Sequence, residues 1–229
     1  MIVPLVEEEV WQEVLADLPP FNIQAGRILL VSPHPDDETL GAGAFLAAQR
    51  KQGTEVEVVA VTDGENAYAD NAHLAATRRQ EQNSALMNLD IQPSAIHRFG
   101  FTDSGVEARK EGLVDLLLPL ITPVTQILAP WLGDYHPDHK ACGWAAREAA
   151  TLTGASLTYY FFWTWHRGTP ADLIGLDLYS FALSDSLLAL KLKALACHHS
   201  QLHRTAGDPI LPDGLLAPAK RKFEVFALA

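Results

Sequence analysis

The sequence predicts an α/β fold in which helices pack against a mainly parallel sheet. After Pro19-Pro20, short apolar runs alternate with longer segments whose apolar residues recur at helical spacing, which is the pattern of successive βαβ units. The chain has 229 residues, of which 48% are hydrophobic, enough to bury one substantial core. We therefore expect a single domain over residues 1–229, with residues 1–25 as an N-terminal helical extension.

The strands are predicted from apolar runs that end at turn-forming or polar residues. The run RILLVSP gives the first strand, and EVEVVAVTDG gives the second, which ends on the turn signal Asp63-Gly64. In chain order, the predicted strands cover residues 27–33, 55–64, 95–101, 126–130, 157–163 and 223–228.

The helices are predicted from segments with a helical repeat of apolar residues between these strands. In chain order, they cover residues 39–52, 71–89, 106–120, 137–152 and 186–201. The stretches 165–185 and 203–220 lack a clear repeat, and we predict that they are loops. Long loops of this kind either connect elements at the surface or shape a binding site.

Charge and composition exclude several classes of protein. The net charge of -11 and the absence of a basic stripe argue against nucleic-acid binding, which depends on clustered Lys and Arg. No uncharged apolar run is long enough to span a membrane, and acids stand where a secretory signal would carry positive charge. Cys142 and Cys197 form no paired motif. We expect a cytoplasmic protein without a membrane span.

Four polar clusters follow the ends of predicted strands. In an open α/β sheet, ligands bind beyond the carboxyl ends of the strands, so these clusters should meet at one edge. They are His34-Pro35-Asp36-Asp37-Glu38, Thr62-Asp63-Gly64, Thr102-Asp103-Ser104-Gly105 and His136-Pro137-Asp138-His139.

The first and fourth clusters contain the imidazoles and carboxylates that suit zinc or a similar divalent ion. Two histidines and one carboxylate would leave one metal position open for water, and further acids would remain for proton transfer. Taken alone, Asp37 or Glu38 could instead cap the following helix, and a lone His-x-x-His occurs by chance. The two clusters together favour a metal site.

Other catalytic motifs are missing from the sequence. Gly41-Ala42-Gly43 lacks a correctly spaced third glycine for a dinucleotide loop, so we interpret both glycines as helix-packing positions. The chain has no G-x-S-x-G, P-loop, H-E-x-x-H or P-C-x-x-C element. These absences argue against serine hydrolases, P-loop enzymes, zincins and zinc base deaminases.

The motifs resemble those of the PIG-L or LmbE-like zinc-dependent deacetylases, a group that includes N-acetylglucosaminyl-phosphatidylinositol de-N-acetylases and the deacetylases of mycothiol and bacillithiol synthesis. The resemblance spans about residues 27–228. It rests on H-P-D-D-E at 34–38, R-x-x-E at 78–81, the Asp-containing turn at 101–105, H-P-D-H at 136–139 and the distal helix ending at 201. Pro33 departs from the small residue that is commoner before the first histidine. The resemblance implies a Rossmann-like three-layer sandwich with a mostly parallel central sheet.

The resemblance also implies a role for each matching residue. His34, Asp37 and His139 would bind Zn²⁺ or another divalent transition metal. Asp36 would be the general base, His136 a charged imidazole that stabilises the oxyanion or protonates the amine, and Asp138 the residue that orients His136. The remaining two, Arg78 and Asp103, would contact the substrate.

The expected reaction is hydrolysis of an N-acetyl group on a small-molecule amino sugar or sugar conjugate. Two alternatives remain open: a zinc hydrolase of the same fold that acts on another amide or an ester, and a non-catalytic sugar-binding relative. The acidic balance favours a neutral or small thiol-linked sugar over a polyanionic glycan. Four aromatic residues could stack on a sugar or belong to the core: Phe161, Phe162, Trp163 and Trp165. The sequence does not predict the oligomeric state.

Overall fold

The computed structural model describes residues 3–23, 26–68, 72–204 and 207–229. Within these residues, seven strands form one sheet in the order β3-β2-β1-β4-β5-β7-β6. Strands β1 to β5 pair in parallel, whereas β7 is antiparallel to both of its neighbours. Their bounds are β1 Arg27–Ser32, β2 Glu55–Thr62, β3 Ile96–Phe101, β4 Thr125–Pro130, β5 Ser156–Tyr160, β6 Asp177–Ala182 and β7 Phe223–Leu228.

Helices cover both faces of the sheet. Their bounds are α1 Glu8–Val14, α2 Asp37–Lys51, α3 Leu74–Asn88, α4 Lys110–Leu117, α5 Pro137–Thr153, α6 Thr164–Arg167, α7 Asp185–Leu195 and α8 His199–Leu202. None of the helices in the described part of the chain has the length and apolar character needed to cross a membrane.

Alternate residues of the central strand face two separate apolar cores. Leu29 and Val31 belong to the core beneath α1, α4 and α5. Ile28 and Leu30 belong to the core beneath α2, α3 and α7. This alternation follows from the two-residue repeat of a strand, and it explains why the run RILLV is apolar throughout. The predicted three-layer sandwich with a mostly parallel sheet is confirmed.

The region 165–185 departs from the prediction of a loop, because it contains α6 and the strand β6. Strand β6 lies at the edge of the sheet and pairs along its length with β7. Its residues are exposed or half-buried, so the sequence lacks the apolar run of an interior strand. The neighbouring prediction was too long, since β5 ends at Tyr160 rather than at 163.

Smaller differences concern the ends of helices. The predicted helix 186–201 is divided, because α7 ends at Leu195 and α8 begins at His199. The region 106–120 is helical throughout, but it begins and ends with 3₁₀ turns around α4. Residues 1–2 and 24–25 of the predicted extension, residue 71 of a predicted helix and residues 205–206 of a predicted loop lie outside the described residues. The single-domain organisation stays a prediction.

The two glycines of α2 differ in their packing. A Cβ added to Gly41 would clash with the ring of Tyr160, the last residue of β5. At Gly43, an added Cβ would make only ordinary contacts at 3.6 Å. Close packing therefore requires glycine at position 41, and the same prediction for position 43 was wrong.

Candidate metal centre and catalytic cavity

The loop between β1 and α2 has an unusual backbone conformation at Asp36. This residue has φ 128° and ψ -30°, a region that side chains other than glycine rarely occupy. Such a conformation costs about 1–3 kcal/mol and persists where surrounding contacts hold it. The carbonyl of Pro33 accepts from the Thr62 hydroxyl at 2.8 Å, and the carbonyl of Pro35 accepts from Arg78 at 2.7 Å. These contacts fix the loop from outside.

Two of the predicted metal ligands, His34 and His139, approach one carboxylate oxygen of the third, Asp37. Asp37 Oδ2 lies 3.1 Å from His34 Nδ1 and 3.2 Å from His139 Nε2. A tetrahedral ion with bonds of about 2.0–2.1 Å would separate its donor atoms by roughly 3.3 Å. His139 Nε2 is also buried and makes no hydrogen bond within the described residues. The nitrogen and oxygen donor types, and the distance from Asp37 to each imidazole, fit a bound divalent metal.

Asp134 orients His139, and the sequence interpretation missed this residue. Its Oδ2 lies 2.7 Å from His139 Nδ1, while its other oxygen accepts from the backbone N–H and the hydroxyl of Thr164, both at 2.6 Å. Burial alone would raise the pKa of Asp134, but His139 and Thr164 hold it below its ordinary value. With Nδ1 held in this way, Nε2 of His139 faces the candidate metal position.

Carboxylates also surround the other nitrogen of His34. His34 Nε2 lies 3.2 Å from Asp138 and 3.3 Å from Asp103. Burial would lower the pKa of His34, but the three neighbouring carboxylates raise it well above its ordinary value.

Side chains that could hold a metal form two groups that share His34. One group is His34, His136 and His139, and the other is His34, Asp103 and Asp138, with the donor atoms of each group within 4.8 Å of one another. The first group contains two of the three predicted ligands, and neither group includes Asp37. The structure therefore contains His and Asp groups able to bind a metal ion.

The geometry of His136 differs from the expectation of a charged ring held by a carboxylate. Its Nδ1 accepts from the backbone N–H of Asp138 at 3.2 Å, whereas the Asp138 carboxylate accepts from the backbone N–H groups of Ser104 and Val106. Burial, followed by the nearby charge of His34, lowers the pKa of His136 to about 4. These contacts favour a neutral ring that donates from Nε2.

Arg78 holds Asp36 within the site. Its guanidinium lies 3.1 Å from Asp36 Oδ2 and also donates to Gly64 O at 3.0 Å. Burial raises the pKa of Asp36 to about 8, with Asp37 and Glu38 adding to the effect and Arg78 opposing it. A cation at Asp37 would favour the ionised form of Asp36. Arg78 is thus engaged with the predicted base, although it also lines the cavity.

Glu38 stabilises the same loop through hydrogen bonds. This buried carboxylate accepts from the Ser32 hydroxyl at 2.7 Å, from Gln82 at 3.1 Å and from the backbone N–H of Asp36 at 3.3 Å. Since Asp36 directly precedes α2, Glu38 contacts the helix start as a capping residue would. The Asp37 carboxylate accepts from the N–H of His34 at 2.9 Å, before the helix begins.

These side chains open onto a cavity of about 280 Å³. Its volume lies just below the range of about 300–1,000 Å³ that is typical of small-molecule pockets. The predicted aromatic platform is divided, because Phe161 and Trp165 pack in a core whereas Phe162 and Trp163 line the cavity, with Phe162 also buried in a smaller core. The lining residues are His34, Asp36, Asp37, Asn66, Ala67, Arg78, Asp103, Ser104, His136, Phe162, Trp163, Arg167, Ile210 and Leu211.

The fold and the site define an α/β protein with a candidate metal centre at the carboxyl edge of its sheet. Residues 29–150, which include the loop after β1 and the H-P-D-H element, match the PIG-L family, described as GlcNAc-PI de-N-acetylase. The chain therefore belongs to the PIG-L family.

Three similar proteins illustrate this relationship. The chain is 28% identical to the diacetylchitobiose deacetylase of Thermococcus kodakarensis, over 80% of this chain and 72% of the relative. It is 32% identical to the probable N-acetyl-α-D-glucosaminyl L-malate deacetylase 2 of Bacillus subtilis, over 53% of this chain and 59% of the relative. The solved N,N'-diacetylchitobiose deacetylase of Pyrococcus horikoshii superposes with a TM-score of 0.64 at 23% identity, covering 92% of this chain and 82% of that one. The relatives named here are thus deacetylases of N-acetylated sugars.

Proposed function

We propose that this protein is a metal-dependent hydrolase that removes the N-acetyl group from an amino sugar or sugar conjugate. The observation that carries the proposal is the position of Asp36. This acid lines the same small cavity as His34 and Asp37, and Asp37 contacts the imidazoles of both His34 and His139. A metal site, an adjacent proton acceptor and a pocket for a small molecule are the parts that amide hydrolysis requires.

His34, Asp37 and His139 are the proposed ligands, and zinc is the proposed metal because it favours nitrogen and oxygen donors in tetrahedral sites. When bound, the metal would supply a Lewis acid that polarises the amide carbonyl and lowers the pKa of water. Asp134 holds His139 in the tautomer that leaves Nε2 free for the metal.

The proton transfers belong to Asp36 and His136. In its ionised form, Asp36 takes a proton from the attacking water and then returns it to the amine nitrogen as the C–N bond breaks. His136, kept neutral and acceptor-bonded at Nδ1, donates from Nε2 to the developing oxyanion. Arg78 holds Asp36 in place, and Asp103 is the proposed contact to the sugar.

A substrate panel with a metal control tests the proposal. The protein is stripped with a chelator, reloaded with zinc, and assayed for equal release of free amine and acetate. The panel contains N-acetylglucosamine, diacetylchitobiose, N-acetylglucosaminyl inositol, N-acetylglucosaminyl malate and an acetate ester. We expect metal-dependent release from at least one N-acetylated sugar. A chain that binds zinc but releases amine from none of them, or that cannot bind zinc, would refute the proposal.

We also propose a cytoplasmic location, in keeping with two free cysteines, Cys142 and Cys197, in the described chain. Fractionation of cells that produce the protein, followed by immunodetection, checks this. Recovery outside the cytoplasm would contradict it.

A further inference from the structure

The lining of the cavity includes an arginine, Arg167, that has no acidic partner among the described residues. Arg167 lines the cavity and is half-buried. One of its nitrogens donates to the backbone carbonyl of Tyr135 at 3.1 Å. No carboxylate lies within ion-pairing distance of Arg167 in the described part of the chain. A guanidinium has five N–H donors, so most of its donors remain available.

The position of Arg167 is fixed by stacking. Its guanidinium carbon lies 4.3 Å from the centre of the Trp163 ring, and the other stacking partner of Trp163 is His136, with ring centres 5.9 Å apart and planes inclined by 21°. Trp163 therefore contacts both Arg167 and His136, a proposed catalytic residue. A stacked guanidinium is held in place and keeps its edge free for planar recognition of an anion.

The stack is also tied to the metal site through the backbone. Asp134, which orients His139, accepts from the backbone N–H of Trp163 at 3.2 Å and from that of Thr164 at 2.6 Å. The helix α6 that carries Arg167 therefore begins at a residue anchored next to a proposed metal ligand. This anchoring gives Arg167 a defined place relative to the reaction centre.

We propose that Arg167 is a specificity-determining residue that binds a carboxylate or phosphate on the part of the substrate beyond the acetamido sugar. This inference rests on the proposed function and adds a substrate class to it. A bound divalent metal would offset the carboxylates of the cavity, and Arg167 would remain as a lining cation without a counter-ion among the described residues. Arginine matches planar carboxylates and phosphates with paired hydrogen bonds. The net negative charge of the whole chain does not oppose such a local site.

Direct binding tests the proposal without requiring turnover. Calorimetric titration of the zinc-loaded protein compares N-acetylglucosaminyl malate and N-acetylglucosamine 1-phosphate with neutral methyl N-acetylglucosaminide. We expect at least one anionic probe to bind about ten- to a hundredfold more tightly than the neutral probe, which is the range for a hydrogen bond to a charged group. This preference should decrease as salt is raised. The malate and the phosphate probes separate the two sources of the anion.

The variants Arg167→Gln and Arg167→Lys distinguish the effect of the Arg167 charge from the effect of its side chain on the shape of the cavity. Gln should abolish the anion preference while changing affinity for the neutral probe less than about threefold, and Lys should restore part of the preference. Arg109→Gln is the matched control, because it removes an exposed guanidinium that stacks on Phe101 outside the cavity. Equal binding of all probes by the wild type, or an equal loss for all probes in Arg167→Gln, would overturn the proposal. Anion-selective binding without amine release would instead refute the proposed function alone.

Discussion

The loop after β1 and the segment after β5 line the same cavity, but they differ in how their side chains are used. In the loop at 34–38, each acid has buried polar partners, and the backbone of Asp36 is held in a rare conformation. In the segment at 161–167, Trp163 and Arg167 are half-buried and stack on each other. Under the proposals above, the loop at 34–38 is a chemical wall for proton transfer and metal binding, and the segment at 161–167 is a recognition wall for the substrate.

The largest effect is expected at the chemical wall. Asp36→Asn removes the proposed base while keeping the size of the side chain, and we expect amine release to fall by about a hundred- to ten-thousandfold. Zinc content, measured by elemental analysis, should stay at the wild-type ratio because Asp36 is not a proposed ligand. Asp115→Asn is the matched control, since this acid is exposed on α4. Wild-type turnover in Asp36→Asn would show that the base is another group.

Asp134→Asn tests whether Asp134 connects the proposed metal ligand His139 with the recognition wall. The substitution weakens the hydrogen bond that orients His139 and disturbs the backbone of Trp163 and Thr164. We expect zinc affinity, measured by competition with a chromogenic chelator, to fall by about 10- to 100-fold.

Affinity for the neutral and anionic probes should also fall in Asp134→Asn. Saturation with zinc should not fully restore the affinity for the probes, because the backbone of Trp163 and Thr164 has lost its hydrogen bonds to the Asp134 carboxylate. Full recovery of probe binding at saturating zinc would show that Asp134 affects the probes only through the bound metal.

The smallest effect concerns the place where α2 meets the end of β5. Gly41→Ala forces a methyl group against Tyr160, and we expect the free energy of unfolding in urea to fall by about 1–3 kcal/mol. Gly43→Ala has room for the methyl group and should be neutral or stabilising, because alanine favours the helix by about 1 kcal/mol. Equal stability changes for the two variants would contradict the packing difference.

The sequence was sufficient to predict the interior strands and the sheet edge at which the site residues lie. Apolar runs such as RILLV predict buried strands, and the order of strands brings His34 and His136 to one edge of the sheet. Strand β6 was missed because an edge strand shows no buried run. The family pattern predicted that the ligand candidates and Asp36 share one site, but their roles stay predictions.

The recognition wall could not be predicted in the same way. The aromatic run 157–163 favours a strand throughout, although β5 stops at Tyr160. Asp134 stands near the H-P-D-H element, but only the structure shows that its carboxylate contacts Trp163, Thr164 and His139. The backbone contact at His136 likewise depends on the turn of α5 at Asp138, which no side-chain pattern records.

The carboxylate of Asp134 contacts both the proposed metal ligand His139 and Thr164, at the start of α6. Affinities coupled through a shared group are reciprocal, so any factor by which metal tightens ligand binding at Trp163 and Arg167 must equal the factor by which the ligand tightens metal binding. Metal retention would then depend on which sugar conjugate occupies the cavity. A substrate that binds more tightly when the metal is present would then protect the metal from removal by a chelator.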